Sequence, residues 1–228
     1  MSPLTRDDAE AIWLSLRVAL TATAAGLPVA LAMAQLLALP RLRGRALLDA
    51  AIHLPLVLPP VATGFALLLL FGRHGPVGAV LERAGIHLAF HWTGAALAAA
   101  VMALPLMVRP IRQAIEGVDP QLYEAARTLG AGRRARFWRI TLPLAVPGLA
   151  TGAILGFARA LGEFGATLTF AAAIPGETLT LPTDIYQAVQ SPSGDSRALA
   201  LCGVAAVIAV GAVLASEALT RRGRVPGL

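Results

Sequence analysis

Five apolar blocks, each close to the length of a bilayer crossing, constrain this 228-residue sequence more than any other feature: Ile12–Leu39, Ile52–Phe71, Trp92–Val108, Leu142–Leu161 and Ala198–Leu219. A helix needs about 20 apolar residues to cross about 30 Å of hydrocarbon, and in that solvent each backbone N–H and C=O must be satisfied within its own segment. The blocks therefore predict an all-α, polytopic transmembrane helix bundle of about five spans. Composition agrees, because only 14% of the residues are charged, against about 25% in a soluble domain, too few to solvate a water-facing surface. A further apolar stretch, Phe164–Ile174, reaches only about 16 Å as a helix, so it reads as an extension of the fourth span or a re-entrant piece. The acidic start, Asp7, Asp8 and Glu10 beside Arg6, argues for a permanent first helix over a cleaved leader.

All 19 basic residues are arginine. Without lysine there is no GxxxxGK[ST] phosphate loop and no Schiff-base amine, so a chain of this sequence does not bind and hydrolyse ATP through that loop. Cys202 is alone and has no disulfide or thiolate-metal partner. His87 and His91 are four apart but lack the Glu that follows the first His in a zinc-hydrolase helix, so no metal site is expected, and no catalytic residues are assigned. Nucleic-acid binding is not expected either, because arginine-rich membrane loops explain the high isoelectric point.

The arginines set an orientation. Arg41, Arg43 and Arg45, the seven from Arg109 to Arg139, and Arg221, Arg222 and Arg224 make thirteen on one side, whereas Arg6, Arg73, Arg83 and Arg197 make four on the other. The positive-inside rule puts the larger set in the cytoplasm, with the N-terminus outside and the C-terminus inside. Trp92, at the outer start of the third block, fits an interfacial anchor. Pro28, Pro55, Pro59, Pro60, Pro105 and Pro147 lie within the blocks, and helices opened this often favour a moving bundle around a pathway.

The inner loop between the third and fourth blocks holds the most specific pattern. Asp119-Pro120 is an N-cap followed by proline at the first helical position, and Gly130 stands where a left-handed turn would end the helix. A second segment, Gly132 to Thr141, leads to the membrane at Leu142-Pro143, with Arg133, Arg134, Arg136 and Arg139 keeping it in water. Small Ala125 and Ala126 permit close approach, and Glu124 offers a charge to a donor-rich partner. The order Glu124-Ala125-Ala126, Gly130, Ile140 and Leu142-Pro143 resembles the EAA loop of membrane subunits of binding-protein-dependent ABC importers. That resemblance implies that residues 119–141 form cytoplasmic coupling helices, with Glu124, Ala125, Ala126 and Gly130 as the ATPase-coupling residues, and that ATP is held by a partner subunit.

A second segment narrows the family. Arg159-Ala160-Leu161-Gly162-Glu163-Phe164-Gly165-Ala166-Thr167, then Ile174-Pro175-Gly176, Thr178-Leu179 and Ile185-Tyr186, resemble the molybdate permease subunits of these importers, with tungstate and sulfate or thiosulfate permeases as close relatives. Ala172-Ala173 departs from the pattern, which has Gly-Asn before Ile-Pro-Gly. Arg159 and Glu163 are four apart on one helix face at membrane depth, where ionisable groups need a partner or a pathway. One reading is an ion pair that holds the helix end. The other is an outer gate formed by Arg159, Gly162, Glu163, Phe164, Gly165 and Thr167, with the glycines allowing close packing and pivoting.

Taken together, the resemblance implies one transmembrane permease domain over residues 1–228, with a type I ABC importer fold in the cytoplasmic (inner) membrane of a bacterium. Its implied partners are a second copy of itself, two ABC ATPase subunits, an extracytoplasmic substrate-binding protein and membrane lipid. No cofactor is expected on this chain. A membrane-embedded enzyme or scaffold is the competing class, disfavoured by the lack of a convergent set of nucleophile, base or metal ligands.

Overall fold

A computed structural model of the chain describes residues 5–39, 42–192 and 194–223. Arg41 and Arg224 lie outside the described residues, as do the side chains of Arg221 and Arg222. The described residues form eleven α-helices and one π-helical turn, with no strand among them. They are α1 (Arg6–Leu37), α2 (Arg45–Val57), α3 (Pro60–Phe71), α4 (Gly78–Arg83), α5 (Trp92–Glu116), α6 (Pro120–Thr128), α7 (Arg133–Arg136), α8 (Leu142–Leu161), α9 (Gly165–Ala171), α10 (Leu181–Gln190) and α11 (Asp195–Gly223). The π-helical turn, Phe137–Thr141, joins α7 to α8, so the second segment of the inner loop runs straight into the apolar helix, one helical stretch over Arg133–Leu161.

Four helical segments are long and apolar enough to cross a membrane, and α2 with α3 makes a fifth if the bent pair is one span. The chain is thus a multi-pass membrane protein. The block Ile52–Phe71 is not one straight helix: the helical stretch starts earlier, at Arg45, and bends by 114° between α2 and α3. Pro59 and Pro60 cause this break. Two consecutive rings remove two backbone donors, and Leu58 before them is forced into extended backbone, φ −68° and ψ 145°. Pro28, Pro55, Pro105 and Pro147 instead lie inside continuous helices. A lone proline costs a helix one internal bond and bends it, whereas the pair stops it.

The core lies between α1, α5 and α8 and is built from small residues. Ala19, Ala22, Ala30 and Ala34 of α1 and Ala95, Ala99 and Ala103 of α5 are essentially inaccessible. On α8, Gly148, Gly152 and Gly156 repeat every four residues and so form one stripe, which faces α5. A methyl on Gly148 would come within 2.6 Å of the Pro110 carbonyl oxygen. In lipid, where burying apolar surface drives little association, such backbone approach is the main source of helix–helix attraction. The buried Met107 side chain of α5 fills the space left by Gly26 of α1 and Gly156 of α8.

The first helix starts at Arg6, six residues before the apolar block at Ile12, because Thr5 and Asp8 form a capping box: the Asp8 N–H donates to Thr5 Oγ1 at 3.3 Å and the Thr5 N–H donates to the Asp8 carboxylate at 2.5 Å. Phe164–Ile174 is neither an extension of α8 nor a span. It holds the seven-residue α9, separated from α8 at Gly162–Phe164 and packed on α3.

Candidate functional site

The loop after α5 folds into a helix closed at both ends. Asp119 Oδ1 accepts from the Gln121 N–H at 2.8 Å, and Pro120 occupies the first helical position. At the other end Gly130 takes φ +79°, the Gly130 N–H donates to the Arg127 carbonyl at 3.0 Å, and the Ala131 N–H donates to the Ala126 carbonyl at 2.9 Å. These two bonds complete a Schellman closure, which a side chain at position 130 would strain. None of the α6 residues is buried. Glu124 is exposed, with Arg127 3.7 Å away, and Leu129 is 87% exposed. Glu124, Ala125 and Ala126 thus lie on one short helix that stands off the bundle, and Gly130 forms the turn that closes it. Its tie to the membrane part is the hydrogen bond between Tyr123 Oη and Thr141 Oγ1, 3.0 Å, at the head of α8.

Beside it lies a polar clasp between α2 and α5 that the sequence reading did not find. Arg112 reaches Asp49 Oδ1 at 3.2 Å and Glu116 Oε1 at 3.0 Å, and Arg45 reaches the same Glu116 oxygen at 2.7 Å. Arg109 Nε donates to His53 Nε2 at 3.0 Å, which leaves His53 Nδ1–H to donate to the Asp49 carbonyl at 2.8 Å. The available signal was Asp49 and His53, four apart in an apolar stretch, facing Arg109, Arg112 and Glu116 at helical spacing.

At the opposite end of α8, the predicted gate segment forms a tight joint. Arg159 Nη1 lies 2.6 Å from Glu163 Oε2, so the ion-pair reading of this couple holds. Glu163 is buried, and its other oxygen accepts the Ala166 N–H at 2.8 Å, capping α9. Gly162 ends α8, and Gly165 starts α9 against the Pro59-Pro60 bend, where a methyl would come within 2.9 Å of Pro60 Cβ. A methyl on Gly64 of α3 would meet the Ala166 carbonyl oxygen at 2.6 Å. Thr167 is buried, and the Phe164 ring packs at a 48° tilt against Tyr186 of α10, with ring centroids 5.0 Å apart. The six predicted residues therefore surround the α8–α9 break, and Gly165 packs that break against the α2–α3 bend.

The family described as binding-protein-dependent transport system inner membrane component matches residues 26–222. The chain belongs to that family. The molybdenum transport system permease protein ModB of Escherichia coli (strain K12) is 51% identical to this transport component over 222 residues, 97% of each chain. The ModB protein of Haemophilus influenzae is 46% identical over 213 residues, 93% of each. Among solved structures, a bacterial ABC transporter involved in the import of the acidic polysaccharide alginate superposes with a TM-score of 0.77 at 21% identity, covering 96% of this chain and 80% of that one. That likeness gives the fold.

Two features of this transport component at the α9–α11 end also escaped the sequence reading. The guanidinium of Arg197 on α11 bridges two fully buried carboxylates, Asp8 Oδ1 at 2.8 and 2.5 Å and Asp184 Oδ1 at 2.6 Å, tying α10 to α1 and α11. Burial pushes the Asp184 carboxyl up to about 6, with Arg197 opposing and Asp8 adding to the rise. The Leu181 N–H donates to Ser15 Oγ at 2.6 Å, a second tie from α10 to α1. Ala172, which departs from the family pattern, has φ +62° and ψ −164°, a conformation suited to glycine.

Three other residues singled out in the sequence lie at this end. Trp92 carries the Arg17 guanidinium over its ring at 3.7 Å, which accounts for an arginine inside the first block. His91 caps α5 by accepting from the Thr93 N–H, and its Nε2 is 3.1 Å from Glu177. Neither His87 nor His91 joins a cluster of metal ligands among the described residues.

Proposed function

We propose that this chain is the membrane subunit of an ATP-driven importer that carries molybdate into the cell by alternating access, with ATP bound and hydrolysed on a separate ATPase. The observation that carries the reading is α6, a helix capped at both ends that buries none of its own residues and presents Glu124 and Leu129 outward. Such a helix is built for a partner surface. The cargo reading rests on 51% identity to a molybdenum transport permease along 97% of both chains.

In this reading the Glu124-Ala125-Ala126 face and the Gly130 turn sit in clefts of two ATPase subunits, one under each copy of a homodimer. An extracytoplasmic binding protein delivers and selects the oxyanion. The chain itself holds no cofactor and lies in a bacterial cytoplasmic membrane with its N-terminus outside and its C-terminus inside, in keeping with the arginine excess around α6. Two routes would carry motion away from α6. One runs through the Tyr123–Thr141 bond into α8 and on to Gly162. The other runs through the Arg112–Glu116–Arg45 clasp into α2. Both end where Gly165 packs on Pro60, so displacement of α6 would act on that joint, with Arg159, Glu163, Phe164 and Thr167 around it as the outer gate.

Uptake of radiolabelled molybdate by the complex in liposomes, with unlabelled tungstate, sulfate or thiosulfate as competitors, tests the cargo. The expected result is ATP-dependent molybdate uptake that excess sulfate and thiosulfate leave largely intact. Preferred uptake of sulfate would overturn the cargo assignment while leaving the importer reading in place.

A further inference from the structure

A cavity of about 740 Å³ opens behind α6, between the C-terminal ends of α1 and α5 and the start of α7. Its wall has two characters. Arg133 and Arg136 line one part, and Leu39, Ile115, Val118 and Phe137 line another. Arg136 Nε is buried without a hydrogen-bond partner. Among the described residues, neither arginine has a carboxylate within ion-pair distance. Glu116 also faces the cavity, but its Oε1 is held by Arg45 and Arg112 on the clasp side. The recess is therefore left with uncompensated positive charge beside an apolar wall.

Its depth says what could neutralise that charge. α7 leads through the π-helical turn directly into α8, whose uncharged apolar run starts at Leu142, and α1 and α5 reach the recess with their C-terminal ends, so the recess lies on the arginine-rich side of the bundle close to the membrane surface. Next to it Trp138 is 64% exposed, packed edge-on against Phe137, as an aromatic side chain sits at a membrane interface. Guanidinium groups match the oxygens of a phosphate through paired N–H donors. Apolar side chains lining the same recess as those donors, Leu39, Ile115, Val118 and Phe137, suit acyl chains better than they suit the face of a soluble protein.

We infer that this recess binds the headgroup of an anionic phospholipid, with its phosphate on Arg133 and Arg136 and its acyl chains along Leu39 and Phe137. A lipid seated there fills the space between α6 and the ends of α1 and α5 and braces the coupling helix from behind. The site is separate from the pathway and does not depend on which oxyanion is carried.

The test uses the full chain, purified in detergent, delipidated and titrated with phosphatidylglycerol or phosphatidylcholine of the same acyl chains, with native mass spectrometry reading bound lipid. The wild type should prefer phosphatidylglycerol by about tenfold or more, as expected for two arginines near the interface. Arg133→Gln/Arg136→Gln should lose the preference, and Ala38→Phe, which fills the recess and keeps both arginines, should lose it too. Arg134→Gln, outside the recess lining, should keep it. If the double variant does not fold, Arg133→Gln alone gives the same reading. Unchanged preference in folded Arg133→Gln/Arg136→Gln protein overturns the inference. So does displacement of the lipid by millimolar inorganic phosphate, which would make this a free-anion site. Loss of ATPase-subunit association with lipid preference intact would overturn it as well, by assigning the arginines to the partner protein.

Discussion

At the scale of single residues, a few positions have their chemistry forced by backbone conformation or burial. Ala172 at φ +62° bears a strain of about 1–3 kcal/mol that glycine would relieve, less the extra freedom glycine gains in the unfolded chain. Ala172→Gly is expected to raise stability by about 1 kcal/mol, read as a higher unfolding midpoint in detergent; a lower midpoint would mean that the backbone there is not strained. Glu163 holds Arg159 and caps α9. Glu163→Gln keeps the size and the cap but leaves a largely buried arginine unpaired, so the same measurement should show a loss of about 3 kcal/mol. The Arg159–Glu163 pair could be located in the sequence because a charged pair at helical spacing inside an apolar block has few alternatives. The partners of Arg197 could not: Asp8 is 189 positions away, and no local pattern joins them.

At the scale of elements, what could be read ahead was what a local rule governs. The helix α6 followed from Asp119-Pro120 and Gly130, both capping signals, and its limits differ little from those expected. The spans followed from block length. The α2–α3 pair did not, because Arg45 and Asp49 at its start look like loop charges until the clasp to Arg112 and Glu116 absorbs them. Nor did α10, which is short and half polar, so neither rule for a span applies to Leu181–Gln190.

The docking of α10 carries a pH dependence. The Asp184 carboxyl sits at about 6, above its ordinary 3.8, so the folded state holds its proton more tightly than the unfolded one. The stability it lends is full below pH 3.8 and is lost as pH rises through about 6, when a buried carboxylate must ionise beside Asp8 with Arg197 as the shared counter-charge. Hydrogen exchange of the α10 amides should therefore show stronger protection at pH 5 than at pH 8, after correction for intrinsic exchange rates. Asp184→Asn should flatten the difference, and an unchanged dependence in that variant would place the titrating group elsewhere.

At the scale of the whole molecule, the charges divide the labour. A chain with nineteen arginines and no lysine has no P-loop of its own, and its arginines gather around the helix that would take motion from an ATPase. The α1, α5 and α8 core, packed through alanine and glycine at backbone distance, transmits displacement because close-packed backbones do not absorb it. Gly152→Leu should break that contact: a methyl there already approaches the Met107 carbonyl at 3.0 Å. The expected outcome is a misassembled, aggregating protein on size-exclusion chromatography. A monodisperse variant with full transport would show that the α5–α8 packing is looser than described.

The central claim is that energy enters through α6. The most direct test is ATP-dependent molybdate uptake in liposomes containing the chain, its ATPase and its binding protein, comparing wild type with Glu124→Ala and Gly130→Ala, with ATPase co-purification measured on the same samples. The Gly130 substitution puts a side chain at φ +79°, costing about 1–2 kcal/mol at the turn. The account predicts that both variants fold and insert but lose ATPase association and at least about nine-tenths of uptake, a drop corresponding to about 1.4 kcal/mol of lost coupling. Full uptake with the ATPase bound as in wild type, in either variant, would contradict it.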